Sequence, residues 1–347
     1  MTRHPSKLPG KARAPAGLTL VELMVSLALG LLVVLVTTGL LLSTRSSFLT
    51  QDDDIHLHDS ARFAFELIAR SVRQAAYENW DTDEAPVLAA DDLTPNIRGL
   101  NARRLSASTA GGVDPLAASG SPVNGSDVLA VRFFGSGPPA TPGAWTGGDG
   151  TVLNCAGASV PTVQSLDEAE ERRGWSIFYV ARSASNANEP ELYCKYRGPG
   201  AYAATAIVPG VESFQVLYGV DIDGDGMPER YLHAGQVDAL DDALVLTGAS
   251  PAEQAADLRR RTHWKRIATV RIALLVRGAN PARADLPGTR YDLFGADYSL
   301  AAGGADPGVR IEESAIAAGE RNRMRRVFST TIQLRNRSAG SGAGAGT

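Results

Sequence analysis

An apolar segment near the N-terminus constrains the fold of this chain more than any other feature. Residues 23–42 carry no charged side chain, and the longer segment 18–42 is almost entirely apolar. A helix of about 20 residues, with a rise of about 1.5 Å per residue, spans a hydrocarbon core of about 30 Å. The sequence therefore predicts a transmembrane helix, with most of the 347 residues forming a body outside the bilayer.

The residues before this helix indicate its orientation. Residues 1–17 contain Arg3, Lys7, Lys11 and Arg13 but no acidic residue, and basic flanks stay on the cytoplasmic side. The small residue Gly17 precedes the apolar run, whereas a signal peptide has its cleavage site after such a run. Cleavage after Gly17 would therefore remove a basic leader and leave the helix attached to the protein.

Glu22 is an acidic side chain in the first turns of this helix, where an unpaired carboxylate is costly. After cleavage at Gly17 it would be the fifth residue of the mature chain, one turn from the new amino group on Leu18. We expect its partner to be such an amine on a neighbouring copy. The alternative is an ordinary single-pass anchor in which the glutamate has no such role.

The segment from Gly17 to Val25, GLTLVELMV, resembles the processing site of type IV prepilins and type II secretion pseudopilins. The resemblance implies cleavage after Gly17 by a prepilin peptidase, N-methylation of Leu18, and assembly through helix packing in a filament core. Leu18 replaces the phenylalanine that is usual in these families.

Beyond the membrane, apolar residues recur at three- and four-residue steps, which predicts an amphipathic continuation of the helix over 43–79. The stripe consists of Ala61, Phe65, Ile68, Val72 and Ala75. The acidic run 52–54 is interpreted as a solvated face. His56 and His58 are two residues apart, which on a helix is unsuitable for a metal pair.

After residue 80 the pattern changes to short apolar runs separated by turn formers, which predicts strands. These runs are 127–134, 175–181, 191–196, 211–220, 267–277 and 327–334. Because the strands follow the helix without βαβ alternation, we expect an α+β, pilin-like fold in which the helix packs against an antiparallel β-sheet lobe. The expected domains are the leader 1–17, the transmembrane helix 18–42, its continuation 43–79, a periplasmic lobe 80–337 and a disordered tail 338–347.

The two cysteines, Cys155 and Cys194, both fall in the exported lobe. A disulfide is the favoured interpretation in an oxidising compartment, and two reduced thiols are the alternative.

Residues 221–229, DIDGDGMPE, form a candidate calcium loop. Asp221, Asp223, Asp225, the Met227 carbonyl and Glu229 supply oxygen ligands at suitable spacing. The twelfth position is Leu232 instead of glutamate, so a further ligand would come from elsewhere, with Asp238, Asp241 and Asp242 as candidates. The alternative is an Asp/Gly hairpin turn between the run 211–220 and a short strand 229–233. No cofactor is expected to be required, and any calcium site would be structural.

The formal net charge is −4, from 34 basic and 38 acidic side chains, so the whole molecule has no field that would recruit nucleic acid. Two local basic stretches occur: Arg259, Arg260, Arg261, Lys265, Arg266 and Arg271, then Arg321, Arg323, Arg325, Arg326, Arg335 and Arg337. On neighbouring strands they would form a positive patch. Only the pair His263-Trp264 offers aromatic interleaving, so a solvated face or subunit contact is favoured over nucleic-acid binding. Recognisable catalytic motifs are absent, so we do not expect an enzyme.

Three C-terminal segments, 216–226, 270–277 and 325–336, resemble PilW-type minor pilins. The resemblance implies a low-abundance pilin that helps to initiate type IV pilus assembly, with other minor pilins, the major pilin, prepilin peptidase and the inner membrane as partners. The protein would be a single-pass inner-membrane protein with a periplasmic lobe before assembly and part of the pilus, at its tip, afterwards. The alternatives are a J-type minor pseudopilin of a type II secretion system and a non-polymerising, membrane-anchored calcium-dependent binding module.

Overall fold

The computed structural model describes residues 17, 19–76, 93–105, 121–138, 147–163, 165–186, 189–198, 201–281 and 288–336. Residues 1–16 of the expected leader 1–17 lie outside the described residues, as do Leu18, residues 77–79 of the predicted helical continuation, Arg337 and the expected tail 338–347. The chain divides into two units, residues 1–51 and residues 52–347.

Helix α1 runs from Leu20 to Gln74, a length of 55 residues that contributes to both units. It ends there because Ala76 adopts a φ of 55°, the left-handed conformation common just after a helix C-terminus. Its first part contains a segment long and apolar enough to cross a membrane, none of which is buried within the protein.

In the second unit, α1 has one buried and one exposed face. Ala61, Ile68, Val72 and Ala75 are almost completely buried and Phe65 is partly buried, which confirms the predicted apolar stripe. The exposed face carries charged pairs, including Arg62 with Glu66 at 2.9 Å. The amphipathic pattern therefore holds this part of the helix against the lobe.

The lobe consists of eleven strands and four short helices among the described residues. The strands are β1 (Ile97–Leu100), β2 (Val128–Phe133), β3 (Gly174–Arg182), β4 (Pro190–Arg197), β5 (Tyr202–Pro209), β6 (Val211–Val220), β7 (Arg230–Leu232), β8 (Ile267–Arg277), β9 (Arg290–Asp292), β10 (Arg310–Glu312) and β11 (Arg325–Gln333). The helices are α2 (Leu166–Arg172), α3 (Ala234–Asp242), α4 (Pro251–Arg261) and α5 (Ala296–Ala302).

The strands form three separate sheets. The first has the order β1-β2-β3-β4-β5, the second β11-β8-β6-β7, and the third is the pair β10-β9. All pairings are antiparallel. The α+β architecture with a long N-terminal helix and antiparallel sheets is confirmed, although the sequence predicted one sheet rather than three.

One apolar core joins α1 to both large sheets. Leu57, Ile68 and Val72 of the helix lie in the same buried cluster as Phe178 of the first sheet and Phe214 of the second. A second cluster covers the opposite face of the four-stranded sheet and includes side chains from β9 and β10. Because both faces are covered, β6 is buried along its whole length and β8 along most of its length, without alternation between buried and exposed residues.

Candidate assembly and metal sites

The start of α1 shows how Glu22 is held within one chain. Thr19 donates from its backbone N and its Oγ1 to Glu22 Oε2, each at 2.9 Å, and accepts at Oγ1 from Glu22 N at 3.3 Å. This reciprocal arrangement is a capping box, which satisfies donors at a helix N-terminus. Sequence reasoning missed it, although the signal Thr-x-x-Glu is present in residues 19–22. Gly17 is exposed, and Leu18 lies outside the described residues.

The apolar side chains that follow Glu22 have no partner within the described chain. The large ones between Leu20 and Leu42 are 51–75% exposed. Such a continuous apolar surface is stable in a bilayer or against other apolar helices, but not in water.

The acidic run 52–54 is not the solvated face that the sequence predicted. Asp53 is 1% exposed and accepts from Asn280 Nδ2 at 2.9 Å. Asp54 forms an ion pair with Arg326 at 2.6 Å. These contacts join α1 to the end of β8 and to β11. The prediction was wrong because the partners lie more than two hundred residues away in the sequence.

The two histidines of α1 contact different neighbours. His56 approaches Asp52 at 3.7 Å, whereas the ring of His58 packs edge-on against Phe328.

The Asp221 loop connects β6 to β7. One side-chain oxygen from each of Asp221, Asp223, Asp225 and Glu229 lies within 4.8 Å of the others. Hard oxygen ligands at this spacing suit Ca²⁺. The site is thus built from four of the residues that the sequence singled out.

Local hydrogen bonds arrange this loop. Asp221, which is buried, accepts from Gly224 N at 2.6 Å and from Gly226 N at 2.8 Å. Gly224 and Gly226 have φ values of 84° and 94°, which favour glycine. Val220 also pairs with Arg230, so the segment is a hairpin connection as well as a carboxylate cluster. The two interpretations of the sequence are compatible.

The additional ligands considered from the sequence lie outside this cluster of described residues. Asp238 accepts from Trp264 Nε1 at 2.8 Å, and Asp241 accepts from His263 N at 2.7 Å. Asp242 is exposed. The side chain of Met227 is 65% exposed, and its backbone N donates to Asp225.

Cys155 and Cys194 form a disulfide, with a Cα–Cα distance of 5.9 Å. Both are buried, and they link the loop after β2 to β4. The predicted bridge is confirmed.

The two basic stretches lie on neighbouring strands only in part: Arg271 is in β8 and Arg325 and Arg326 are in β11, which pairs with β8, whereas the remaining described members lie outside these strands. Several of the described side chains are paired with acidic residues instead of forming an open positive patch. Arg325 is buried and donates to Glu212 at 2.6 and 2.9 Å and to Glu313 at 3.2 Å. Arg277, at the end of β8 and outside both stretches, is also buried and is paired with Glu189 at 2.6 Å. Sequence alone could not place these glutamates beside the arginines.

The aromatic pair of the first stretch, His263 and Trp264, makes contacts within the protein. Trp264 is 2% exposed, and His263 Nδ1 lies 2.8 Å from Asp241. Arg260 and Arg261 pair with Asp257 at 3.6 and 3.1 Å. These described residues therefore offer no stacking surface for nucleic-acid bases.

Comparisons with known proteins place these features in context. The sequence matches no curated protein. The solved structure of the type IV-like pilin TTHA1219 from Thermus thermophilus is similar over 81% of this chain and 98% of that chain, with 11% identity and a TM-score of 0.32. Residues 177–336 match the family model of the type IV pilus-assembly protein W, and this region contains all three C-terminal motifs. Over these residues, the chain is similar to the type IV pilus-assembly protein W (PilW) family.

Proposed function

We propose that this protein is a minor pilin that helps to initiate assembly of the type IV pilus. It enters the filament through α1 after prepilin peptidase cleaves between Gly17 and Leu18. Its role is structural rather than catalytic. The other minor pilins and the major pilin are its partners, and it lies in the inner membrane before assembly and at the pilus tip afterwards.

The observation that carries this proposal is the combination, in one chain, of the PilW match and an unburied apolar helix. A simple anchor explains the helix but not the family match. The Glu22 side chain at the start of the helix supplies a charge that can pair with an amine of a neighbouring subunit. The J-type pseudopilin remains the competing function, because it has the same processing motif.

The experiment that tests the proposal follows the protein in cells that assemble pili. We expect the full chain to be recovered in sheared filaments, with a mass that begins at an N-methylated Leu18. We expect deletion of its gene to lower the number of pili. Exclusion from sheared filaments, or normal piliation after deletion, would contradict the proposal, and assembly with secretion components instead would favour the pseudopilus.

We further propose that the Asp221 loop binds one structural Ca²⁺. The four carboxylates of the cluster carry like charges, and a divalent cation would offset their mutual repulsion. The ion would fix the β6–β7 connection and has no part in a reaction.

A further inference from the structure

A cavity lies where the start of β3, the end of β4 and the loop after β2 meet. Its volume of ≈ 320 Å³ is at the lower end of the range for small-molecule sites. Val160 and Pro161 of the loop, Trp175 of β3 and Tyr196 of β4 are among the residues that line it. Its walls are therefore mainly apolar and aromatic. The described residues of α1 and of the Asp221 loop are not part of the lining.

Contacts within the protein fix the walls of this cavity. The Cys155–Cys194 disulfide ties the loop after β2 to β4, directly beside the lining residues Asn154 and Tyr196. Asn154 Oδ1 accepts from Ala158 N at 3.0 Å, which closes the loop on itself. Because these contacts are internal, the cavity is preformed, and a ligand that enters it has few residues to order.

Three arginines add positive charge to the apolar walls. Arg172 ends α2, Arg173 follows it, and Arg197 ends β4. None of the described residues that line the cavity is acidic. Arg172 pairs with Glu168 at 3.3 Å and Arg197 pairs with Glu171 at 3.1 Å, and neither glutamate is part of the lining. Partly exposed pairs of this kind are weak, so both arginines can also bind an anion inside the cavity.

Arg173 is the arginine whose charge is least balanced. It is 1% exposed and shares one carboxylate, that of Glu170, with the buried Arg132. The Nε atoms of both arginines have no hydrogen-bond partner among the described residues. Burial and the repulsion from Arg132 lower the pKa of Arg173 to about 9. A buried polar atom without a partner is costly, so this pair of arginines is short of one negative charge.

The charge and the walls together specify the ligand. Among the described residues, four arginines at this end of the sheet are paired with three glutamates, which leaves one positive charge. Guanidinium groups bind a carboxylate through two parallel charge-assisted hydrogen bonds. One carboxylate matches one remaining charge better than a phosphate does, which carries up to two. The apolar walls require that this carboxylate be attached to an apolar body.

The undescribed segments of this chain do not have that chemistry. Residues 139–146 and 199–200 adjoin the lining in sequence but contain no acidic residue. Residues 77–92 carry six carboxylates and no basic side chain, which is far more negative charge than one cation balances. A ligand with one carboxylate and one apolar group has the required charge and size.

We propose that this cavity binds an apolar carboxylate, either a small carboxylic acid or the C-terminal residue of another polypeptide. The carboxylate accepts hydrogen bonds from the partly exposed Arg172 and Arg197, its charge offsets that of Arg173, and the apolar body packs against Trp175. This site does not depend on the proposed role in pilus assembly, because it involves neither α1 nor the processing motif.

The first test titrates probes into the full-length chain in detergent and measures binding by calorimetry. N-acetyl-phenylalanine carries a carboxylate and an apolar ring, and its amide is the same molecule without the charge. We expect the acid to bind at least tenfold more tightly than the amide, because the amide lacks the charge-assisted hydrogen bonds. Partition into micelles favours the uncharged amide and therefore cannot mimic this result.

A second acid distinguishes the two sources of the ligand. Hydrocinnamate has the same ring and carboxylate but lacks the acetylated amino group that represents a chain end. Equal binding of the two acids supports a free carboxylic acid as the ligand, whereas tighter binding of N-acetyl-phenylalanine supports a C-terminal residue.

Substitutions locate the site within the protein. Arg172→Gln and Arg197→Gln each remove one cation from the cavity, and we expect either to weaken the binding of N-acetyl-phenylalanine about tenfold. Arg62→Gln is the matched control, because Arg62 pairs with Glu66 four residues away on a helix, as Arg172 does with Glu168. It should bind the probe as the wild type does.

Equal binding of the acid and the amide, no binding of either, or the same loss in Arg62→Gln would overturn the proposal. Lack of binding is also the result expected if residues 77–92 fill the cavity. Protection of Cys155 and Cys194 from thiol labelling checks that each variant is folded. Because the titration needs no filaments, its failure leaves the pilus function intact, and absence of the protein from sheared filaments leaves this site intact.

Discussion

At the scale of single residues, substitution can separate the helix-capping contacts of Glu22 from the assembly role proposed for its charge. Glu22→Gln keeps an oxygen that accepts from Thr19 and therefore keeps the capping box, but it removes the charge. Glu22→Ala removes both. If the carboxylate pairs with an amine of a neighbouring subunit, both variants should be cleaved after Gly17 yet be poorly recovered in sheared filaments. Immunoblots of filaments and intact mass of the membrane protein measure this.

The Glu22→Gln variant distinguishes the helix-capping role from the proposed assembly role. Wild-type recovery of Glu22→Gln together with loss of Glu22→Ala would mean that Glu22 acts as a helix cap and not as an assembly charge.

Glu212 should be much more important for stability than an exposed glutamate. It is 4% exposed and pairs with the fully buried Arg325. Removing one partner of a buried pair typically costs about 3–5 kcal/mol, and the loss here falls at the lower end of that range because Arg325 keeps its ion pair with Glu313 at 3.2 Å. We therefore expect Glu212→Gln to lower the free energy of unfolding by about that amount in denaturant titrations of the full chain.

Glu66→Gln is the matched control. Glu66 pairs with Arg62 on the exposed face of α1, and such helix pairs contribute roughly 0.3–0.5 kcal/mol. Similar losses for the two variants would contradict the importance assigned to the buried network.

At the scale of elements, the β6–β7 connection should depend on calcium. A ligand that binds the folded state alone raises stability by about 2.7 kcal/mol at 100 times its dissociation constant. We expect millimolar Ca²⁺ to raise the melting temperature of the wild type and of Asp242→Ala, which lies outside the cluster, but not of Asp223→Ala. Equal melting with Ca²⁺ and with a chelator would leave the hairpin as the sole role of this loop.

Elements with strong local patterns were predictable from sequence. The apolar stripe of α1 has the helical period that burial on one face imposes, and the runs that became β6 and β8 are rich in apolar residues, as strands buried on both faces are. Strand β5 was not predicted because three of its eight residues are alanine, which has low strand propensity. The three-residue strands β7, β9 and β10 are too short to show periodicity, although a run overlapping β7 was expected as part of a hairpin.

At the scale of the whole molecule, a pair of buried acids should make stability depend on pH. Asp127 is buried and accepts from Ala102 N at 2.8 Å and Val216 N at 2.9 Å, which connects the two large sheets. Burial raises its pKa well above the ordinary value. Asp306 is 1% exposed and accepts from the Tyr298 hydroxyl at 2.9 Å. Burial raises the pKa of Asp306 to about 6.

The linkage between proton binding and folding determines whether stability rises or falls with pH. Between its ordinary pKa of 3.8 and about 6, Asp306 binds a proton more readily in the folded state than in the unfolded state. Its contribution to stability therefore falls as pH rises through this range. Asp306→Asn keeps an acceptor for Tyr298 without the charge. We expect it to melt at a higher temperature than the wild type at pH 7, with the difference vanishing near pH 4.

A difference between the two proteins that stays constant from pH 4 to pH 7 would contradict this assignment. Groups that titrate elsewhere, such as Glu170 with a pKa of about 2, are common to both proteins and cancel in the comparison.

Among the candidate sites, the disulfide was predictable because the chain has two cysteines, and the Asp221 carboxylate cluster because its residues are close in sequence. Gly17, Glu22 and the Asp221 loop are contiguous motifs, and the spacing within each carries its chemistry. The burial of Asp53 and the pairing of Arg325 with Glu212 depend on which distant strands become neighbours. A run of like charge in the sequence does not show which distant strands will contact it. Such runs were therefore interpreted as solvated.

The contact between α1 and the lobe also constrains how homologous sequences can vary. Gly278 follows β8 and lies against Asp53, and a Cβ at this position would be 2.6 Å from Asp53 Oδ2. Any side chain there would displace the carboxylate that accepts from Asn280. We therefore expect the two positions to covary in an alignment of homologous chains, with glycine at 278 wherever aspartate is kept at 53. Independent variation of the pair would show that this contact is not under selection.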